Sequence, residues 1–178
     1  MSDFSTTKSQ FHLPKGIIYL DGNSLGPLPK KAQDRIQHTL NYEWGEMLVT
    51  GWNKAGWMDQ PNKVGDRIAK LIGATSKTVT VGDTLSIKVF QALASATNYQ
   101  KNRKVLLTDS SNFPSDIYAA QGLVDMLQDD YQVKIVSTDD LIENINENVA
   151  AVFFTEVDYK TGRRYDAKKI IKAAKQNG

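Results

Sequence analysis

After Gly73 the chain changes rhythm: short β-branched or apolar runs alternate with longer stretches of helical periodicity, the pattern of βαβ units in a mostly parallel sheet. The expected strands are Thr78–Val81, Lys104–Thr108, Val133–Val136 and Val149–Thr155. The expected helices run over roughly Leu85–Tyr99, Ser115–Gln128, Asp139–Asn146 and Asp166–Lys175. Ala150-Ala151-Val152-Phe153-Phe154 is almost unbroken in apolarity, as a strand covered on both faces is, so a neighbouring strand is expected on each side of it. The alternation stops at Gln176-Asn177-Gly178, after a helix and where a further strand would start. The sheet is therefore expected to be incomplete.

Ahead of Gly73 the signals are helical. Ile36, Leu40, Trp44, Met47 and Leu48 recur at helical spacing between Pro29 and about Val49, behind the turn-rich Asp21-Gly22-Asn23-Ser24-Leu25-Gly26-Pro27. Gly51-Trp52-Asn53-Lys54-Ala55-Gly56-Trp57 interrupts that period, and Val64, Ile68, Leu71 and Ile72 restore it. The expected organisation is a loop and helical segment over residues 1–73, then an α/β segment over 74–178.

With 178 residues and 40% hydrophobic content the chain can bury a core of about one domain. Its 22 basic and 20 acidic residues are dispersed, so neither a nucleic acid nor a membrane surface is expected as a partner. The absence of cysteine excludes disulfides, thiolate zinc sites and a cysteine nucleophile. His12 and His38 lie in no ligand-like motif, and no metal site is expected. Met1-Ser2-Asp3-Phe4-Ser5 lacks a basic start followed by an apolar run, which makes the cytoplasm the default location.

Three loops follow proposed strands and would open on one edge of a parallel sheet, where ligands of open α/β folds bind: Gly82–Ser86, Ser110–Asp116 and Thr155–Gly162. The first leads into a helix whose free N–H groups suit a phosphate, although Asp83, Thr84 or Ser86 can equally serve as a cap. In the second, Phe113 can stack on a planar ligand or act as a hydrophobic staple, with Ser115 or Asp116 as the cap. In the third, Asp158 and Tyr159 can be plain turn residues. The two tryptophans of Gly51–Trp57 can anchor a core or line a pocket.

Tyr19–Gly26, Gly51–Trp57, Ser111–Asp116 and Tyr159–Gly162, taken in order and spacing, resemble kynureninases of the bacterial type from about Phe11 to the last residue. The resemblance implies a fold-type I enzyme dependent on pyridoxal 5'-phosphate. Such an enzyme is usually a homodimer with active sites at the subunit interface, and hydrolyses a carbon–carbon bond of L-kynurenine, or of 3-hydroxykynurenine, in tryptophan catabolism. It yields anthranilate, or its 3-hydroxy analogue, and L-alanine. By position, Leu85 and Ser86 match the phosphate-binding pair and Phe113 the residue stacked on the cofactor ring. Pro114, Ser115 and Asp116 complete that segment, and Thr155 matches a small hydroxyl residue beside the cofactor. Ser24 and Trp52 match positions lining the substrate pocket.

Glu156 and Asp158 depart from the family pattern, where His and Asn are common, and are expected to add negative charge near the pocket. The Schiff-base lysine, the aspartate facing the pyridine nitrogen and the neighbouring histidine belong to sequence beyond Gly178. No catalytic residue is therefore assigned in this chain, which on this reading is the N-terminal part of a kynureninase and inactive alone. The competing readings are another fold-type I lyase, such as a cysteine desulfurase relative, and a noncatalytic α/β binding module.

Overall fold

The structure, a computed structural model, describes residues 3–127 and 130–178; Met1 and Ser2, and Gln128 at the expected end of the second α/β helix, lie outside them. The chain divides into two compact units, Met1–Val81 and Gly82–Gly178.

In the first unit, α1 (Ser5–Ser9) precedes a small antiparallel ribbon of β1 (Phe11–His12) and β2 (Leu28–Pro29). The helix expected from Pro29 to Val49 is broken into pieces. Its regular part, α2 (Lys30–His38), runs into a π-helical segment at Thr39–Trp44, followed by a 3₁₀ turn at Leu48–Thr50. Gly45 N–H donates to the Leu40 carbonyl and Met47 N–H to that of Tyr42, the wide-turn bonds that a π segment requires. The extra residue turns Glu43 inward, where Arg35 and Trp57 hold its carboxylate. Then come α3 (Gly51–Lys54), a 3₁₀ turn at Trp57–Asp59, and α4 (Gln60–Ile72), which carries Pro61 in its first turn and ends at Gly73 with φ +70°.

Thr78–Val81, expected as a strand, forms none. Its backbone is engaged with α4: Val81 N–H donates to the Pro61 carbonyl at 3.4 Å, and Val79 lies directly over Gly65. A Cβ on Gly65 would stand 2.7 Å from the Val79 carbonyl carbon, so the missing side chain is what admits the approach. Asp66 fixes the preceding turn by accepting from Lys77 N–H at 2.6 Å and Ser76 Oγ at 3.0 Å.

The second unit contains α5 (Leu85–Tyr99), β3 (Val105–Asp109), α6 (Pro114–Leu127), β4 (Gln132–Val136), β5 (Val149–Val152) and α7 (Ala167–Gln176). The three strands form a parallel sheet in the order β4-β3-β5, the α/β architecture expected. Side chains of β3 alternate between two cores. Leu106 joins Leu93 of α5 with Ala120 and Leu123 of α6, while Val105 and Leu107 join Leu141, Ile145, Val149, Tyr165 and Ile170 on the α7 face.

Two expectations about strands need correction. The strand covered on both sides is β3, every residue of which is buried, while β5 pairs with β3 alone among the described residues. Furthermore, β5 stops at Val152 and does not reach Thr155. Phe153 N–H still donates to the Leu107 carbonyl, after which the chain turns away and Thr108 Oγ1 captures the Phe153 carbonyl at 2.8 Å.

Asp139–Asn146 is a run of turns, not the expected helix. Leu141 and Ile145 do enter the core four residues apart, as the periodicity implied, but short polar side chains capture the backbone between them. Ser137 Oγ donates to Asp140 and accepts from its N–H, Asn144 Nδ2 donates to the Asp140 carbonyl, and Asn146 Oδ1 accepts from Asn148 N–H. No described helix is long and apolar enough to cross a membrane.

Candidate functional site

The centre of the second unit's candidate site is the exit from β3. Asp109, its last residue, is fully buried and accepts through Oδ1 from Ser111 N–H at 2.9 Å, the Tyr165 hydroxyl at 2.9 Å and Thr138 Oγ1 at 3.2 Å. Its other carboxylate oxygen has no hydrogen-bond partner among the described residues. One carboxylate thus ties the β3 loop to the β4 exit and to the chain entering α7. Burial, with Asp109 alongside, pushes the Tyr165 phenol above its ordinary pKa.

A second chain of bonds runs to β5. Asn112, buried, donates from Nδ2 to Thr108 Oγ1 at 2.9 Å, and Thr108 donates to the Phe153 carbonyl. The Asn112 side-chain oxygen accepts from Phe113 N–H at 2.8 Å. The backbone beside Phe113 is held from below while its ring stays 45% exposed. Pro114 then opens α6, where its missing N–H costs nothing, and Asp116 lies in the first turn, where the helix dipole favours a negative charge.

The loop after β5 meets this exit. Tyr159 packs edge-on against Phe113, with ring centroids 4.8 Å apart and planes at 61°, and Lys160 Nζ stands 5.4 Å from the Tyr159 ring centroid. Tyr159 is held there by Asp158, buried, which accepts from Lys160 N–H at 2.7 Å and Thr161 N–H at 2.8 Å. The Thr161 N–H leads in keeping the Asp158 carboxyl below its usual range. Asp158 is therefore a turn residue, and its charge is spent on loop amides. Glu156, the other departure from the family pattern, is paired at the surface with Arg164 at 2.9 Å. Thr155 is half-buried, three residues beyond β5.

Gly82–Ser86 follows no strand, contrary to expectation, but does lead into α5. Thr84 at the N-cap makes no side-chain bond to the helix, Asp83 turns instead to Lys88 at 3.5 Å, and Leu85 and Ser86 are exposed. The first-turn N–H groups of α5 are left without a side-chain cap. α5 packs against α6 and β5 through Val89, Phe90 and Leu93.

Ser24 and Trp52 belong to the first unit. Ser24 sits in a turn closed by its own N–H to the Asp21 carbonyl and braced by the Tyr19 hydroxyl, which donates to the Leu25 carbonyl at 2.6 Å. Trp52 is 51% exposed and lines an open apolar groove with Trp44, Leu48, Val49 and Trp57.

The described residues fit a planar phosphorylated cofactor in kind: uncapped helix N–H groups beside the Ser86 hydroxyl, and a half-exposed ring at a sheet exit. The sequence reading passed over Asp109, Thr138 and Tyr165. A carboxylate directly after the apolar run Val105-Leu106-Leu107 and Thr108 is the one available signal, since burying it requires partners.

The chain matches the family model described as aminotransferase class-V over residues 18–178. It belongs to the class-V aminotransferase family. Among curated relatives in its neighbourhood, it is 41% identical to a kynureninase of Burkholderia mallei (strain SAVP1) over 96% of this chain and 42% of that protein. A kynureninase of Burkholderia pseudomallei (strain 1106a) matches at 41% and one of Pseudomonas fluorescens at 43%, with the same coverage. This class-V chain thus spans less than half the length of the curated relatives it matches.

Proposed function

We propose that this chain contributes the first cofactor- and substrate-binding segments of a kynureninase, a pyridoxal-phosphate-dependent hydrolase that cleaves a carbon–carbon bond of L-kynurenine or 3-hydroxykynurenine. On this reading residues 1–73 are the N-terminal loop and helical segment, and residues 74–178 are part of the cofactor-binding domain. The enzyme is a cytoplasmic homodimer. The observation that carries the reading is the half-exposed Phe113 ring, held at the exit of the central strand by Asn112 and Tyr159, in a chain 41–43% identical to kynureninases.

When bound, pyridoxal phosphate supplies an electron sink for the carbon skeleton of an amino acid. The chain's own residues hold and orient. Phe113 covers one face of the cofactor ring, giving contact area and a fixed plane. The Leu85 and Ser86 N–H groups and the Ser86 hydroxyl bind the phosphate, where the α5 dipole favours negative charge. Pro114, Ser115 and Asp116 set where α6 begins, and Thr155 offers a hydroxyl beside the ring. Trp52 and Ser24 receive the substrate's aromatic end, Trp52 by apolar contact and Ser24 by hydrogen bonding.

The test is anthranilate formation from L-kynurenine by this chain joined to the remaining segment of the Pseudomonas fluorescens relative, beside the chain alone. Product from the joined protein and none from the chain alone is expected. A folded, cofactor-loaded joined protein that leaves both L-kynurenine and 3-hydroxykynurenine intact would overturn the reading.

A further inference from the structure

Glu43 is a buried carboxylate, 6% exposed, in a part of the first unit that supplies little other polar burial. Burying such a charge is costly unless it is paired and hydrogen-bonded. Arg35 reaches it with Nη1 at 2.7 Å from Oε1 and Nη2 at 3.2 Å from Oε2, the two-pronged geometry suited to a carboxylate. His38 Nε2 stands 3.7 Å from Oε1. Oε2 also accepts from the Trp57 indole N–H at 2.9 Å.

That last bond fixes more than Trp57. The indole has a single donor, so anchoring it sets the pivot of the ring. The ring passes over Gly51, where a Cβ would lie 3.2 Å from its Cη2 atom and 2.6 Å from the Glu43 carbonyl oxygen; no larger residue fits there without displacing it. Trp52, the next residue, meets Trp57 edge-on, with centroids 5.8 Å apart and planes at 78°. This edge contact is what orients an otherwise half-exposed ring.

We infer that Glu43 is a positioning residue for the Trp52 ring, acting through the indole N–H of Trp57. Its relevance to substrate rests on the reading of Trp52 as a pocket wall. Any part-buried indole N–H wants an acceptor, but here the acceptor is itself held from two sides by Arg35, so the Arg35–Glu43–Trp57 chain fixes the direction of the ring. Arg35 and then the Trp57 N–H hold the Glu43 carboxyl below its usual range, so the orientation should survive into mild acid and fail only when Glu43 protonates.

The experiment is fluorine NMR on this chain labelled with 5-fluorotryptophan, the three resonances assigned by Trp44→Phe, Trp52→Phe and Trp57→Phe. Glu43→Leu is expected to move the Trp57 and Trp52 resonances and leave Trp44 in place, while Glu43→Gln, which keeps an acceptor, should restore Trp52 toward its native position. On acidification the Trp57 and Trp52 signals of the native chain should move together with one midpoint below the usual carboxylate range. That midpoint should vanish in Glu43→Gln and persist in His38→Gln. A Trp52 resonance indifferent to Glu43→Leu, or all three resonances moving together with a collapse in melting temperature, would overturn the inference. Addition of L-kynurenine to the labelled, cofactor-loaded protein joined to the remaining segment separates the two claims: a Trp52 signal that answers to Glu43 but not to kynurenine leaves the positioning intact and removes the pocket role, whereas the reverse response removes the positioning alone.

Discussion

Thr108 and Asn112 hold the β3 exit by a hydroxyl–amide relay that ends on the Phe153 carbonyl. In Thr108→Val the shape is kept and the hydroxyl lost, leaving the buried Asn112 amide without its acceptor. A loss of about 1–3 kcal/mol is expected, the cost of an unsatisfied buried polar group, measurable by urea unfolding. Phe113→Ala should behave in the opposite way. The ring is half-exposed and its main described contact is the edge of Tyr159, so stability should fall by only about 0.5–1.5 kcal/mol. Pyridoxal-phosphate affinity in the joined enzyme should fall much further. Equal cofactor affinity in the mutant and native proteins would remove Phe113 from the proposed site.

Among the elements, α4 and the extended stretch over it depend on one missing side chain. Gly65→Ala would drive a methyl into the Val79 carbonyl, and because the obstacle is backbone, a flexible neighbour cannot yield. An overpacking cost of about 1–3 kcal/mol is expected, against the small gain that alanine brings to an unobstructed helix. Thermal unfolding decides the sign. In the second unit, β3 is paired on both sides and buried along its length, so its amides should exchange with deuterium most slowly, with those of β5 at the sheet edge faster. Exchange equally fast in both strands would mean that the sheet opens as one unit.

The molecule as a whole leaves large apolar side chains in water. Ile18, Leu20, Leu25, Trp44 and Val49 of the first unit are each more than 60% exposed. Scattered apolar residues are ordinary, but several in one unit are an association hazard. The purified chain should therefore bind the dye ANS and show a light-scattering mass that rises with concentration. A monomer that binds no dye at all concentrations would count against this.

How much of this was readable beforehand follows from how far each signal reaches along the chain. The α/β class, α5, α6 and α7 and all three strands of the second unit stood out because their periodicities are local and their apolar faces meet a core on the expected side. Chain-local motifs also brought Phe113 and Tyr159 forward as candidates. Thr78–Val81 has strand composition but lies on Gly65, fourteen or so residues away, and nothing in its own pattern reports that engagement. Ala150–Phe154 reads as a strand with neighbours on both sides by apolarity, yet among the described strands that place goes to β3, because pairing order is a choice among strands that composition does not encode. The same holds for polar burial. Glu43, Asp109 and Tyr165 look like ordinary surface or turn residues in the sequence; they matter because folding brings Arg35 and Trp57, or Thr138 and Ser111, within hydrogen-bonding distance, and a charge can stay buried only where such partners converge.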